Sequence, residues 1–352
     1  MSRSASPAFR FLQAMPKAEL HLHLDGCLRP VTAIELAAQR GIDAPTTYQS
    51  MFDLLVAPAH PGSQAILLRA FDLPIALMQD VEALQRVTTE LIEDKAADRV
   101  RYVEIKWAPA LHQRRGLTLD EIIDAVAQAA RAAARRCGIV ATLTVVAMRS
   151  DDEAINVGVA EAAVRHRHNG VTGFDLAGFE EAFPDPVVHA AAFDVARAGG
   201  LGLAVHAGEL LDDGALVKRA LELRPHRISH GASAIGDASV MDELRRRGVT
   251  LDLCPTSNMQ AGTVDSIAAY PLAELLRNGV AVTINTDDTT ISNITLSEEL
   301  ESCHDDLGMT LAELWACTLH AIDVAFVDEH RRAELRQSFL SWAAPIPELR
   351  AG

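Results

Sequence analysis

The chain has no Cys-x-x-Cys pair. Its five cysteines, Cys27, Cys137, Cys254, Cys303 and Cys317, are scattered and odd in number, which argues against a thiolate zinc site or a redox motif. Such cysteines are usually buried apolar residues in a reducing compartment. No run of 18 apolar residues occurs, so no membrane span is expected. The opening MSRSASPAFRFLQAMP has neither an apolar stretch nor a small-residue cleavage site, and the expected address is cytoplasmic. Positive charge is scarce: 32 Lys and Arg stand against 48 Asp and Glu, a formal net charge of −16. An acidic surface does not attract nucleic acid or an anionic membrane, so neither is expected as a partner. Low-complexity segments, long linkers and short repeats are also missing. So is a Gly-rich phosphate loop after an early strand, which counts against an open doubly wound sheet.

The 352 residues are 49% apolar and 23% charged, enough for a large buried core. Short apolar runs alternate with longer helical patterns, the mark of βα units and a parallel sheet. Eight strands are expected: Ala18–Leu24, Val100–Trp107, Ile139–Ala147, Val171–Leu176, Leu201–His206, His226–His230, Val249–Cys254 and Val280–Asn285. Gly138, Gly170, Gly200, Gly248 and Gly279 punctuate helix-to-strand passages. Thr118 with Glu121, and Thr310 with Glu313, are capping-box patterns. The expected fold class is α/β, a (β/α)8 TIM-type barrel forming one domain over residues 1–352. Residues 31–98, roughly, are more than one crossover helix needs and should form extra helices near the barrel mouth, where insertions often act as lids.

Active sites on such barrels lie at the C-terminal ends of strands. His21 and His23 are two apart on strand one, so alternation points both imidazoles one way while Leu20, Leu22 and Leu24 face the helices. His206 ends strand five and Asp287 follows strand eight. Three imidazoles and a carboxylate can converge on the barrel axis and hold a catalytic zinc with room for a water. Glu209 is either a general acid beside the metal or a helix-start carboxylate favoured by the dipole. Small Ala207 and Gly208 before it would let a substrate approach. His230 is a fifth ligand or a base. Of the pair Asp287-Asp288, one can hold metal while the other accepts a hydrogen bond from substrate. The remaining histidines, such as His166 and His168 in a charged helix-end stretch, read as structural or surface residues.

These stretches together resemble the adenosine deaminase family of the amidohydrolase superfamily. The matching segments are Pro16–Gly26, Asp175–Gly178, His206–Glu209, Ser229–Gly231, Cys254–Asn258 and Asn285–Asp288. The resemblance implies one zinc per chain on His21, His23, His206 and Asp287, with a small-molecule purine as partner. It implies that His230 and Asp287 orient and help deprotonate a water that attacks C6. Glu209 would protonate N1, Asp288 would hydrogen-bond N7, the Gly178 N–H would reach N3, and Asp25 would bind a sugar hydroxyl. Asp at position 25, where relatives acting on free adenine look to have Glu, points to a nucleoside. The implied reaction is deamination of adenosine or 2′-deoxyadenosine. Phe179, Ala232-Ser233 and Thr289-Thr290 depart from the family pattern along the pocket wall. Adenine, an N6-methylated purine nucleotide or a 5′-extended nucleoside are the other substrates to weigh, with Arg29, Arg69, Arg101 and Arg149 as possible phosphate clamps. A rival amidohydrolase chemistry would want a Lys at the end of strand four, and none stands there. An inactive purine-binding barrel would have lost a ligand or Glu209, and neither is lost. The sequence leaves the oligomeric state open.

Overall fold

The computed structural model describes residues 6–59, 62–210 and 213–349; His60 lies outside them. Eight parallel strands pair in sequence order: β1 Lys17–His23, β2 Val100–Trp107, β3 Val140–Met148, β4 Val171–Ala177, β5 Gly202–Ala207, β6 Arg227–His230, β7 Thr250–Leu253 and β8 Val282–Ile284. All eight expected strands are present, with ends displaced by one or two residues in most. β7 is shorter than expected by one residue at each end, and β8 by two at its start and one at its end. The five punctuating glycines all adopt left-handed backbone, with φ between 65° and 102°, a conformation that costs Gly little. Both expected capping boxes form, and Thr295 with Glu298 makes a third.

Closure between β8 and β1 uses site residues. Leu22 bridges Asp287. The His23 N–H donates to the Asp287 carbonyl at 2.7 Å and the Asp287 N–H to that of His21 at 3.2 Å. Below them Asn285 Oδ1 accepts from the N–H groups of Leu20 and His21, at 2.8 and 3.1 Å. A side chain thus stands in for strand pairing that three-residue β8 is too short to supply. The chain must satisfy those buried donors somehow, and the seam holds β1 and the segment after β8 in fixed register.

Between β1 and β2 lie helices Pro30–Arg40, Tyr48–Leu55, Gln64–Leu68, Asp72–Leu77 and Val81–Ala97. The last packs beside the Leu119–Cys137 helix as a crossover helix would. The Gln64–Leu68 helix and its neighbours roof the mouth through a small apolar cluster of Ala57, Leu67, Ala261 and Ile291, separate from the main core. Among the described residues no helix is long and apolar enough to cross a membrane. The five cysteines are free, four of them buried and Cys137 partly so.

The barrel axis is polar. Near its base Arg227 binds Glu104 and, at 2.9 Å, Asp252, with its guanidinium 3.7 Å over the Phe326 ring. One layer up, Lys106 binds Asp175 at 2.7 Å with both side chains fully buried. Buried pairs of this kind add little net stability over apolar packing, but deleting one partner strands the other's charge.

Candidate active site

The pleat of β1 sends His21 and His23 to the same side, as expected. Their Nε2 atoms are 3.2 Å apart, and His23 Nε2 is 3.1 Å from His206 Nε2. Asp287 Oδ1 lies 3.0 Å from His21 Nε2 and 3.4 Å from His23 Nε2. His230 approaches from the other side, its Nε2 3.8 Å from Asp287 Oδ2 and 4.0 Å from Glu209 Oε2. Ligand atoms of His21, His206, His230 and Asp287 all fall within 4.8 Å of one another. Five donors therefore surround one small volume, one more than the expected quartet.

Electrostatics suits them to a cation. Burial, aided by the charge of nearby Lys106, holds the His21 imidazole well below its ordinary pKa. Burial takes His23 down to about 3 and also lowers His206. All three are neutral at pH 7, with lone pairs available. Burial alone would raise Asp287, yet the imidazoles of His21, His230 and His23 together hold it well below the carboxylate range, so it is ionised. Neutral imidazoles and an ionised carboxylate are the protonation states metal ligands need. Asp287 Oδ1 is buried without a hydrogen-bond donor, a costly state for a carboxylate unless a cation faces it. Asp287 and His230 also have φ of 63° and 65°. Strained non-glycine backbone of this sort persists where the surroundings over-determine it, often at functional sites. The donor set fits a divalent ion that prefers nitrogen and oxygen ligands, zinc foremost.

A second layer of contacts fixes the donors, which sequence reasoning did not assign. His206 Nδ1 meets Asp175 Oδ1 at 3.1 Å, and Asp175 Oδ2 accepts from Lys106 at 2.7 Å and Ser229 at 3.0 Å. Ser257 Oγ donates to Asp287 Oδ2 at 2.7 Å. His230 Nδ1 lies 3.3 Å from Asn258 Oδ1. Partners like these set the tautomer and aim of ligand side chains. Asp175, Ser229, Ser257 and Asn258 sit inside the matching motifs, so a signal existed. Lys106 carried none, because an internal Lys in a strand reads as an ordinary alternation.

A cavity of about 360 Å³ opens beside the cluster, lined by His23, Asp25, Gly178, His206, Glu209, His230, Asp287 and Asp288 among others. Every site residue expected from sequence except His21, which is buried beneath, lines it. Glu209 is buried, and burial pushes its carboxyl up to about 7. Asp288 is raised well above its ordinary value, by burial first and then by the Asp287 charge. Burial thus favours the neutral form of Asp288, in which its carboxyl can donate a hydrogen bond as well as accept one. Its seat depends on Gly26: a Cβ there would lie 1.6 Å from Asp288 Oδ1. Asp25, raised by burial to about 6, leaves its Oδ1 buried and unpaired.

Gly208 also meets a packing need. A Cβ on it would lie 2.3 Å from Ser233 Oγ and 2.5 Å from Val217, so its smallness is needed for packing under the β5 loop. The four arginines weighed as phosphate clamps do not line the cavity. Arg29 pairs with Asp94 at 2.6 Å, and buried Arg149 donates to the backbone carbonyls of Phe183 and His206. Among the described residues the cation of the cavity lining, histidines apart, is exposed Arg114 at its rim.

Eight parallel strands with this cluster at their C-terminal ends define a barrel of the amidohydrolase type. The chain belongs to the adenosine deaminase family, whose model matches residues 16–342. It is 37% identical to an adenosine deaminase of Mycobacterium ulcerans, over 94% of this chain and 95% of that one. Its fold matches an adenine deaminase from Arthrobacter aurescens with a TM-score of 0.86 at 27% identity, covering 94% of this chain and 100% of the other. It also matches an amidohydrolase from Burkholderia ambifaria solved with bound zinc, with a TM-score of 0.88 at 26% identity over 100% and 97% of the two chains.

Proposed function

We propose that this purine deaminase acts on a nucleoside, adenosine or 2′-deoxyadenosine, replacing the C6 amino group by oxygen from water and releasing ammonia. The observation that carries the reading is one cavity lined by Glu209 and Asp288, two buried carboxyls pushed toward their neutral, donating forms, beside the cluster of His21, His23, His206, His230 and Asp287. A 6-aminopurine presents ring-nitrogen acceptors at N1 and N7, and two neutral carboxyls are donors for them.

His21, His23, His206 and Asp287 would hold zinc, with His230 close enough to share that task or to face the water. Bound there, the ion would lower the pKa of a water toward neutrality. Glu209 donates its proton to N1, which drains electron density from C6 and makes the ring a better electrophile. Asp288 donates to N7 and the Gly178 N–H to N3, so three donors fix the ring plane. His230 and Asp287 orient the attacking water and take its proton. The amino group then leaves as ammonia once protonated. The apolar side of the cavity, with Leu67, Phe71 and Val146, keeps bulk water out.

Asp25 supports a nucleoside over free adenine, because its unpaired buried oxygen offers an acceptor for a sugar hydroxyl. Histidines apart, the described lining offers a phosphate one cation, rim Arg114, which supports an uncharged sugar over a 5′-phosphate. Free, mostly buried thiols suit a reducing cytoplasm.

The test is ammonia release by metal-loaded protein from adenosine, 2′-deoxyadenosine, adenine, AMP and N6-methyl-AMP. Turnover of both nucleosides, little from adenine or the nucleotides, and loss on chelation with recovery on adding zinc are expected. Preferred turnover of adenine or AMP would overturn the nucleoside assignment.

A further inference from the structure

Gln64 lies in the inserted roof, outside every motif that marks the site, yet its side chain is almost fully buried, 3% exposed, in the reaction pocket. Its Nε2 donates to Glu209 Oε2, and its Oε1 accepts from the Glu180 N–H at 3.2 Å. The Glu180 carboxylate in turn accepts from the N–H groups of Gly208 and Glu209, at 2.8 and 3.1 Å. The Glu209 carbonyl accepts from Asn258 at 2.9 Å and Thr263 at 2.7 Å. The barrel therefore fixes the backbone of Glu209 by itself. Among the described residues, Gln64 is the hydrogen-bond partner of its carboxyl.

The segment that carries Gln64 is lightly held. The Gln64–Leu68 helix is five residues long and rests through Leu67 on Ala57, Ala261 and Ile291, apart from the main core. Besides the Gln64 bonds and those of Ala57 with Ile291 and Gln260, the segment meets the far wall in backbone contact at Gly262, where a Cβ would lie 3.1 Å from the Gly62 carbonyl carbon. Local units with few buried apolar contacts open at a small fraction of the global unfolding free energy. One polar side chain can then contribute a large part of the docking free energy.

We propose that Gln64 is a positioning residue that couples docking of the Gln64–Leu68 roof helix to the aim of the Glu209 carboxyl. The helix seats the carboxyl toward the substrate edge, and the carboxyl in return latches the helix. The catalytic half of this statement rests on the role given to Glu209 above; the latch does not.

The latch is read by hydrogen exchange at the Ile66 and Leu67 amides, which bond to the Ser63 carbonyl, in a double-mutant cycle of Gln64→Met and Glu209→Leu. Each single variant should speed exchange there roughly tenfold, as loss of a hydrogen bond to a charged or buried group predicts, and the double variant no further. Glu209→Gln keeps an acceptor oxygen and should leave exchange near wild type, which guards against a Leu variant that merely disturbs the fold. With adenosine, Gln64→Met should lower kcat about tenfold with KM changed less than threefold. Additive effects in the cycle, or unchanged exchange in Gln64→Met, overturn the latch. A KM rise with unchanged kcat overturns the positioning role. A wild-type protein inert toward adenosine but with an intact non-additive cycle overturns the substrate reading and leaves the latch standing.

Discussion

Replacing Glu209 by Gln removes one proton from the reaction and almost nothing else. The amide has the same shape, can still accept from Gln64, and sits 4.0 Å or more from His230 Nε2 as the carboxyl does, so metal binding should survive. A positioned general acid contributes about 10²–10⁴-fold, equivalent to about 3–5 kcal/mol of barrier, and the variant should lose that much kcat. The wild type supplies an independent check through pH. Burial raises Glu209 to about 7, so its neutral, donating form prevails below that value and is lost as pH rises through it. Wild-type kcat/KM should fall about tenfold per unit well above pH 7, and the residual rate of Glu209→Gln should lack this limb. The assay is ammonia release from pH 5.5 to 9, with metal content measured on the same samples. Near-normal turnover by a metal-replete Glu209→Gln protein, or an alkaline limb unchanged in the variant, would refute the assignment of Glu209 as proton donor.

The other predictions concern the groups around it. If Asp288 donates to N7 in the neutral form that burial favours, Asp288→Asn retains a donor and should cost less than about tenfold in kcat/KM, whereas Asp288→Ala should cost about 10²-fold; equal losses would show that a carboxylate is required. Gly26→Ala places a Cβ 1.6 Å from Asp288 Oδ1 and should match the Asp288→Ala loss while metal content stays constant, a comparison made by steady-state kinetics on both variants. Lys106→Met strands the buried Asp175 charge and loosens His206. Denaturant unfolding should show about 3–5 kcal/mol lost, and metal titration a 10- to 100-fold weaker affinity. A variant as stable as wild type with unchanged affinity would mean that Lys106 does not hold Asp175 for His206.

The strand ends were legible because chemistry and period coincide there. His21 and His23 two apart on an apolar strand, His206 closing another, and Asp287 after a third state both a face and a ligand type. The order of the six motifs then identified the family, and with it the barrel. Composition set the rest of the frame: apolar content for a large core, acidity against polyanionic partners. Sequence could not show what depends on distance between remote segments. That Asp288 is pushed toward its neutral form follows from its burial beside Asp287. That Gly208 is small for Ser233, and Gly26 for Asp288, follows from contacts across loops. Lys106 became part of the site because β2 and β4 face one another through the barrel interior, and Gln64 because an inserted helix folds back over the mouth. Local sequence determines periodicity, turn chemistry and the kinds of ligand available, since those depend on neighbours along the chain. Protonation state, close approach and second-layer contacts depend on low dielectric and through-space partners, and these exist only once the barrel has closed.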